Sequence, residues 1–333
     1  MPIELSIAVP VCNEEEMIAL FLARIVPILT NITPDFEIIF VNDGSRDRTL
    51  DVLMAARQAD SRIKIIDLSR NFGKEAALSA ALAFASGRAV IPIDVDLQDP
   101  PGLIPVLVAK WREGFDVVLA RRADRSADSL MKRLTSRLFY KFIDRLSDID
   151  IPADVGDFRL MDRRVVDALG TLPERARFMK GLFAWLGFRQ TVVEYVRPAR
   201  AAGRSKWKPL ALWRLALEGI VSFSSLPLKL WSYIGVACAL SGILYGSYLI
   251  GRVLIFGVDV PGYASLASFI LFFNGLVLVG LGVVGEYVAR IFTEVKARPL
   301  YLVRDAWGIS EARAEDDVRD RLDTLRGQVA RWR

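Results

Sequence analysis

Two stretches of this chain carry no charge for longer than soluble domains usually tolerate. Leu230 to Gly251 is a run of 22 residues between Lys229 and Arg252, and Val260 to Gly285 is a run of 26 that ends at Glu286. About 20 apolar residues span the hydrocarbon core of a bilayer. Both runs hold the Gly, Ser and aromatic residues common in membrane helices. A pair of buried core helices is the competing reading, and the length of the runs argues against it. The apolar excess is local. Charged residues are 25% of the 333, an ordinary share, while mean hydropathy is +0.31.

The connection from Arg252 to Pro261 is short, so the two segments, about 230–252 and 262–285, read as a hairpin with both flanks on one side. The preceding flank holds Arg197, Arg200, Arg204, Lys206, Lys208, Arg214 and Lys229 against Glu218. Arg290, Lys296, Arg298 and Arg304 follow the hairpin, against Glu286 and Glu294. The positive-inside rule puts both flanks, and hence both termini, in the cytoplasm. Between Trp207 and Leu228, apolar residues mix with a few cations, a pattern expected of amphipathic helices at a membrane surface. The organisation expected is therefore a domain at 1–196, juxtamembrane helices at 197–228, a hairpin at 229–290 and a charged tail at 291–333. The start, Met1 to Leu5, lacks the basic and apolar regions of a secretory signal, so none is expected.

The chain has no histidine. That excludes Ser-His-Asp and Cys-His catalysis, histidine-ligated zinc and a histidine general base. Two cysteines, Cys12 and Cys238, make no disulfide framework and no C-x-x-C pair. A net charge of +5 is only mildly basic and does not call for a nucleic-acid partner.

Residues 1–120 alternate strand and helix patterns. Strands are expected at Leu5–Val9, Phe36–Val41, Ile63–Asp67, Ala89–Ile93 and Asp116–Leu119. Helices are expected at Glu14–Leu29, Arg48–Ala59, Lys74–Ala85 and Leu103–Glu113. Apolar strands alternating with helices imply an α/β fold with a mostly parallel sheet, whose ligands bind beyond the carboxyl ends of the strands. Polar residues follow each strand: Asn13, Glu14 and Glu15; Asn42, Asp43, Gly44 and Ser45; Arg70, Asn71, Gly73 and Lys74; Asp94, Asp96, Gln98 and Asp99; Arg121 and Arg122. There is no G-x-G-x-x-G after the first strand and no P-loop, which argues against a dinucleotide oxidoreductase or a P-loop enzyme. Asp94 and Asp96 share one face if the segment is extended. All-oxygen ligation would suit Mg²⁺ or Mn²⁺. The same Asp-x-Asp is also an ordinary polar turn, as is Asn-Asp-Gly-Ser.

Taken in order, Val-Pro-Val-Cys-Asn-Glu-Glu, Val-Asn-Asp-Gly-Ser, Arg-Asn-Phe-Gly-Lys, Asp-Val-Asp-Leu-Gln-Asp-Pro-Pro and Gly156-Asp-Phe-Arg-Leu160 resemble glycosyltransferase family 2, of the GT-A fold. With Arg200-Ala-Ala-Gly-Arg-Ser-Lys206 and the hairpin, the chain is most similar to the polyprenyl-phosphate glycosyltransferases. These include bactoprenol glucosyltransferases and dolichyl-phosphate mannose synthases. The resemblance covers about residues 3–300. It implies a nucleotide-binding set of Pro10, Cys12, Glu14, Asp43, Asp94 and Gln98, although Cys12 stands where relatives often have Tyr. It implies metal ligation by Asp94 and Asp96 and a catalytic carboxylate at Asp157. Phosphates of the lipid acceptor would meet Arg121, Lys132, Arg137, Arg200, Ser205 and Lys206. A Gln328-Val-Ala-Arg-Trp332 run matches a motif of processive synthases, but it follows both spans and reads as coincidence.

The resemblance implies an inverting enzyme on the inner membrane with Mg²⁺ or Mn²⁺ as cofactor. A nucleotide sugar, UDP-glucose first, would be its donor and a polyprenyl phosphate its acceptor. GDP-mannose or a UDP-aminosugar remain open as donors, and a non-catalytic sugar-nucleotide sensor or scaffold is the rival from another class. Glycines in the hairpin favour helix association and hence a homo-oligomer.

Overall fold

The computed structural model describes residues 3–123, 155–172, 174, 179–195, 226–256 and 262–309. Lys132, Arg137, Arg200, Ser205, Lys206, most of the amphipathic stretch and the tail beyond 309 lie outside the described residues.

Strands β1 (Leu5–Val11), β2 (Phe36–Asn42), β3 (Ile63–Leu68), β4 (Ala89–Pro92), β5 (Val117–Arg122), β6 (Val155–Asp162), β7 (Gln190–Tyr195) and β8 (Val303–Trp307) form one sheet, ordered β7-β5-β6-β4-β1-β2-β3-β8. The first four strands are parallel neighbours. β6 runs antiparallel between β4 and β5, and β8 antiparallel along β3. Among the described residues the α-helices of this domain are α1 (Met17–Ile32), α2 (Thr49–Ala59), α3 (Lys74–Phe84), α4 (Ile104–Arg112), α5 (Arg163–Gly170) and α6 (Met179–Trp185).

The period-two alternation of the central strands builds a core on each face. Ile7 and Val9 of β1 join Phe21, Ile25 and Phe40 on one side, while Ala8 joins Ile39, Val41, Leu78 and Ala81 on the other. α1 buries Met17, Ile18, Phe21, Ile25 and Leu29, a single helical stripe. Its Phe21 meets Phe40 of β2 edge-on, with ring centroids 6.0 Å apart. Each such fully buried side chain contributes about 1.5–3 kcal/mol of apolar transfer free energy. Two-sided burial explains why the strands read as near-continuous apolar runs.

The chain builds β1, β2 and β3 outward in one direction, then returns to place β4 on the other side of β1. The strand order reverses between β1 and β4. At such a switch point the flanking loops diverge and leave a crevice at the carboxyl edge.

The hairpin helices are α7 (Leu226–Phe256) and α8 (Tyr263–Lys296), which extend past the uncharged runs. Leu230–Phe256 and Phe272–Lys296 are long and apolar enough to cross a membrane, and their most apolar stretches are almost entirely unburied. Tyr233, Leu244, Leu254 and Leu281 all face outward. Core helices would bury such side chains, so the core-helix reading fails. Gly280 of α8 is buried, and a side chain there would overlap the Trp231 indole of α7. This close approach is the kind that small residues permit between apolar helices.

After α8, Ala297 adopts a left-handed conformation and the chain re-enters the domain. Tyr301 is fully buried in the α3-side core, and β8 pairs with β3. The sequence pattern sets 291–333 apart as a tail, but residues 303–307 complete the sheet edge. A short polar strand, Val-Arg-Asp-Ala-Trp, carries no strong strand signal in isolation. It forms because β3 offers it an unpaired edge.

Gly280→Leu overpacks the helix contact, with an expected cost of about 1–3 kcal/mol. It should lower the melting temperature in detergent and red-shift Trp231 emission. An unchanged melt and spectrum would show that the helices do not pack at this point.

Candidate active site

The carboxyl edge gathers most of the described residues singled out in the sequence. Pro10 lies inside β1 and Cys12 just beyond it, with Asn13 in a left-handed conformation. The Asn13 backbone N–H donates to Ser45 Oγ at 2.9 Å, and Asn13 Oδ1 accepts from the Arg46 N–H at 2.8 Å. The Glu14 N–H donates to Thr49 Oγ1 at 2.9 Å. Asn71 Nδ2 lies 3.2 Å from Cys12 Sγ. The loops after β1, β2 and β3 are thus laced together at one corner.

Asp43 is buried, and its carboxylate accepts from the Phe72 N–H at 2.7 Å and the Gly73 N–H at 3.0 Å. Beside it, Gly44 has φ +61, and a side chain there would overlap the backbone of Arg70 and Asn71. The Asn-Asp-Gly-Ser turn is therefore a clamp on the loop that begins α3. Asp43 does structural work that its expected nucleotide role did not include.

That clamp aims Lys74, the first residue of α3. Lys74 Nζ donates to Asp94 Oδ2 at 2.8 Å and lies 2.9 Å from Asp157 Oδ2. Burial alone would push the ammonium down, but the carboxylates of Asp157 and Asp94 outweigh it and hold the group above the usual lysine range. The cation therefore ties the loop after β4 to β6. Lys74 stands in one of the family-like motifs, but the sequence gives it no role. Its signal is a lysine placed at a helix start beyond a strand end, which is too common to single out.

The Asp94–Asp96 geometry differs from expectation. β4 stops at Pro92, and Asp96 sits in a turn where its Oδ1 accepts from the Gln98 N–H at 3.1 Å, with Leu97 at φ +57. The two carboxylates are not presented by strand alternation. The turn arises because a short Asp side chain captures a backbone donor two residues on. Beyond it, buried Asp99 accepts from the Tyr195 hydroxyl at 2.8 Å. Burial first and then Asp99 push that phenol up to about 12, so it stays a donor. This bond pins the loop to β7, and Gln98 in the same loop is buried.

Asp157 and Arg159 belong to β6. Arg159 is buried, donates from Nη2 to the Gly156 carbonyl at 2.6 Å and lies 4.1 Å from the Phe183 ring centroid. Burial pulls its guanidinium down to about 10 against the opposing charge of Asp157. It remains a cation at neutral pH. Arg121, expected in a loop, is inside β5 and pairs with Glu194 of β7.

Among the described residues no group of three or more Asp, Glu or Cys side chains could hold a metal ion by itself. The donor set still fits a hard divalent cation. Asp94 and Asp96 supply oxygens, and Mg²⁺ commonly takes one or two carboxylates and completes its shell with substrate phosphate and water. The Lys74 ammonium already marks the position beside Asp94 as one where positive charge is favourable.

An open α/β sheet with a charged crevice at its switch point, and acids rather than histidine inside it, is the GT-A arrangement. The sequence comparisons agree. Residues 6–170 match the family model described as "Glycosyl transferase family 2". An uncharacterized glycosyltransferase of Synechocystis sp. is 55% identical over 93% of this chain and 97% of its own length. The SfII prophage-derived bactoprenol glucosyl transferase of Shigella flexneri is 50% identical, covering 90% and 97%. A prophage bactoprenol glucosyl transferase homolog of Escherichia coli K12 is 46% identical, covering 90% and 98%. The chain belongs to glycosyl transferase family 2 and is a glycosyltransferase.

Lys74→Met removes the cation between Asp94 and Asp157. It should lower kcat by about 100-fold or more, the scale of losing one preorganised charge in an active site, with circular dichroism unchanged. Wild-type turnover in this variant would remove Lys74 from the site.

Proposed function

We propose that this protein is a membrane-bound inverting transferase that moves glucose from UDP-glucose to the phosphate of a polyprenyl phosphate of the bactoprenol type. The lipid-linked glucose would serve modification of cell-envelope glycans. The observation that carries this reading is the 50% identity to the Shigella flexneri bactoprenol glucosyl transferase over 301 residues. That length takes in both the crevice and the apolar hairpin. The exposed apolar faces of α7 and α8 support a membrane position. The basic flanks support a cytoplasmic crevice and cytoplasmic termini.

In this reading the loops after β1 and β2, with Pro10, Cys12, Glu14 and Asp43, border the nucleotide. Asp94 and Asp96 would hold Mg²⁺ or Mn²⁺, which when bound neutralises charge on the leaving diphosphate. Lys74 adds a fixed cation on the same side, and Asp94 and Gln98 complete the set proposed to border the nucleotide. The nucleophile is a phosphate monoester with a second pKa near 6. It is largely dianionic at neutral pH and needs no strong base, which suits a chain without histidine. Asp157 accepts the residual proton or orients the acceptor phosphate. Arg121 of β5, released from Glu194, can meet that phosphate, and Lys132, Arg137, Arg200, Ser205 and Lys206 are proposed to serve it at the membrane edge. A single in-line displacement inverts the anomeric centre.

The test is a donor screen with full-length protein, Mg²⁺ and short-chain polyprenyl phosphate, scoring labelled sugar in the organic phase. Label from UDP-glucose is expected. Label from GDP-mannose or a UDP-aminosugar instead would overturn the donor and keep the reaction. Nucleotide binding without transfer from any donor would favour a sensor.

Two substitutions test the roles. Asp157→Asn should lower transfer by about 100-fold or more while donor affinity holds. Asp96→Ala should abolish activity at every Mg²⁺ or Mn²⁺ concentration. Normal turnover in the first removes Asp157 from the chemistry, and metal-stimulated turnover in the second removes Asp96 from the ligand set.

A further inference from the structure

The strand that returns from the second apolar helix reaches the donor corner through a line of hydrogen bonds. Asp67 of β3 is fully buried. Its Oδ2 accepts from Arg304 Nε of β8 at 2.7 Å, with a second contact from Nη2. Its Oδ1 accepts from Asn42 Nδ2 at 2.7 Å. Asn42 Oδ1 then accepts from the Ser45 N–H at 3.4 Å, and Ser45 Oγ accepts from the Asn13 N–H at 2.9 Å. Asn42 ends β2, and Ser45 and Asn13 shape the two loops that border the nucleotide in the function proposed above.

A buried carboxylate is tolerable only when its charge is paired. Arg304 provides that pairing from outside the domain's own run of sequence, 237 residues from Asp67. Arg304 is about half exposed, so its guanidinium can also be lost to solvent. Asp67 would then have a single amide partner for a buried charge, and its easiest relief is to move toward water, taking the Asn42 amide with it. β8 also holds its place through the Ser69 N–H to the Leu302 carbonyl at 2.9 Å and through buried Tyr301. Removing the Arg304 head group therefore leaves the strand otherwise anchored.

We propose that Arg304 is a positioning residue for donor binding: through Asp67 and Asn42 it sets the loops after β1 and β2, linking the segment that leaves the membrane helix to nucleotide affinity. The inference rests on the donor site proposed above and adds a residue far from it in sequence.

The experiment uses full-length protein in detergent and measures donor-nucleotide Kd by calorimetry, with steady-state KM and kcat for donor and acceptor. Arg304→Ala should raise donor Kd and KM by about tenfold, within the range of ordinary coupling between sites. The kcat at saturating donor and the acceptor KM should change by less than about twofold, because nothing that touches the reacting atoms is altered. Arg304→Lys, which keeps charge but not the two-pronged contact, should recover part of the loss. Asp67→Asn in the Arg304→Ala background should recover more, because an amide oxygen at that position still accepts from Asn42 and carries no charge to compensate. A merely structural strand contact would lower kcat and donor affinity together, whereas a positioning role moves donor Kd and KM alone. Unchanged donor affinity in Arg304→Ala, an equal fall in kcat, or no rescue by Asp67→Asn would each overturn the proposal. If Arg304→Ala fails to fold, the double variant and Asn42→Ala carry the test: the double should bind donor nearly as wild type and Asn42→Ala about tenfold more weakly. Failure of the donor assignment would appear differently, as wild-type protein that binds or transfers from no nucleotide sugar.

Discussion

An ammonium held between two carboxylates organises the carboxyl edge of this sheet. Lys74 begins α3, Asp94 follows β4 and Asp157 lies in β6, so one cation joins three elements that are far apart in sequence. Without it, the two acids would lose the cation they share, and like charges brought close repel strongly where water is scarce. The lysine is itself held on target. Asp43 grips the loop before α3 by two backbone N–H groups, and Gly44 lets that loop approach closely.

The crevice is a consequence of strand order. Because β4 returns to the far side of β1, the loops after these strands fall at a switch point, the place where open α/β sheets bind their ligands. β6, inserted antiparallel beside β4, brings Asp157 into the same space from a direction that an all-parallel sheet would not supply. The result is a site that combines a corner laced by side-chain hydrogen bonds with an opening lined by fixed charges. Such preorganisation suits glycosyl transfer without a histidine.

The two long apolar helices are an excursion of the chain whose far end returns to the sheet domain. α8 ends, the backbone turns at Ala297, and Tyr301 and β8 lock into the domain. Sheet edges expose unpaired backbone groups, and β3 would be such an edge if β8 were absent. Closing it with a strand from beyond the hairpin makes the edge of the catalytic sheet depend on where the second helix ends.

Much of this was legible in the residues. The hairpin followed from two uncharged runs, and five strands and four helices followed from apolar periodicity, with boundaries off by a few residues. Motif order carried the family. What was not legible depended on partners distant in sequence. β8 is a short polar strand with no signal of its own. The Asp94–Asp96 pair reads as an alternating strand, yet a side-chain bond from Asp96 to the Gln98 N–H turns the chain instead. Asp43 reads as a turn or a ligand, and its clamp on the α3 loop needed a second loop to be seen. Sequence by itself determined the class of fold, the two long apolar helices and the absence of histidine, because these rest on composition and local periodicity. Only the tertiary structure decided that Lys74 bridges Asp94 and Asp157 and that Arg304 pairs with Asp67. Charge pairing acts through space, and local sequence pattern does not encode which distant charges will meet.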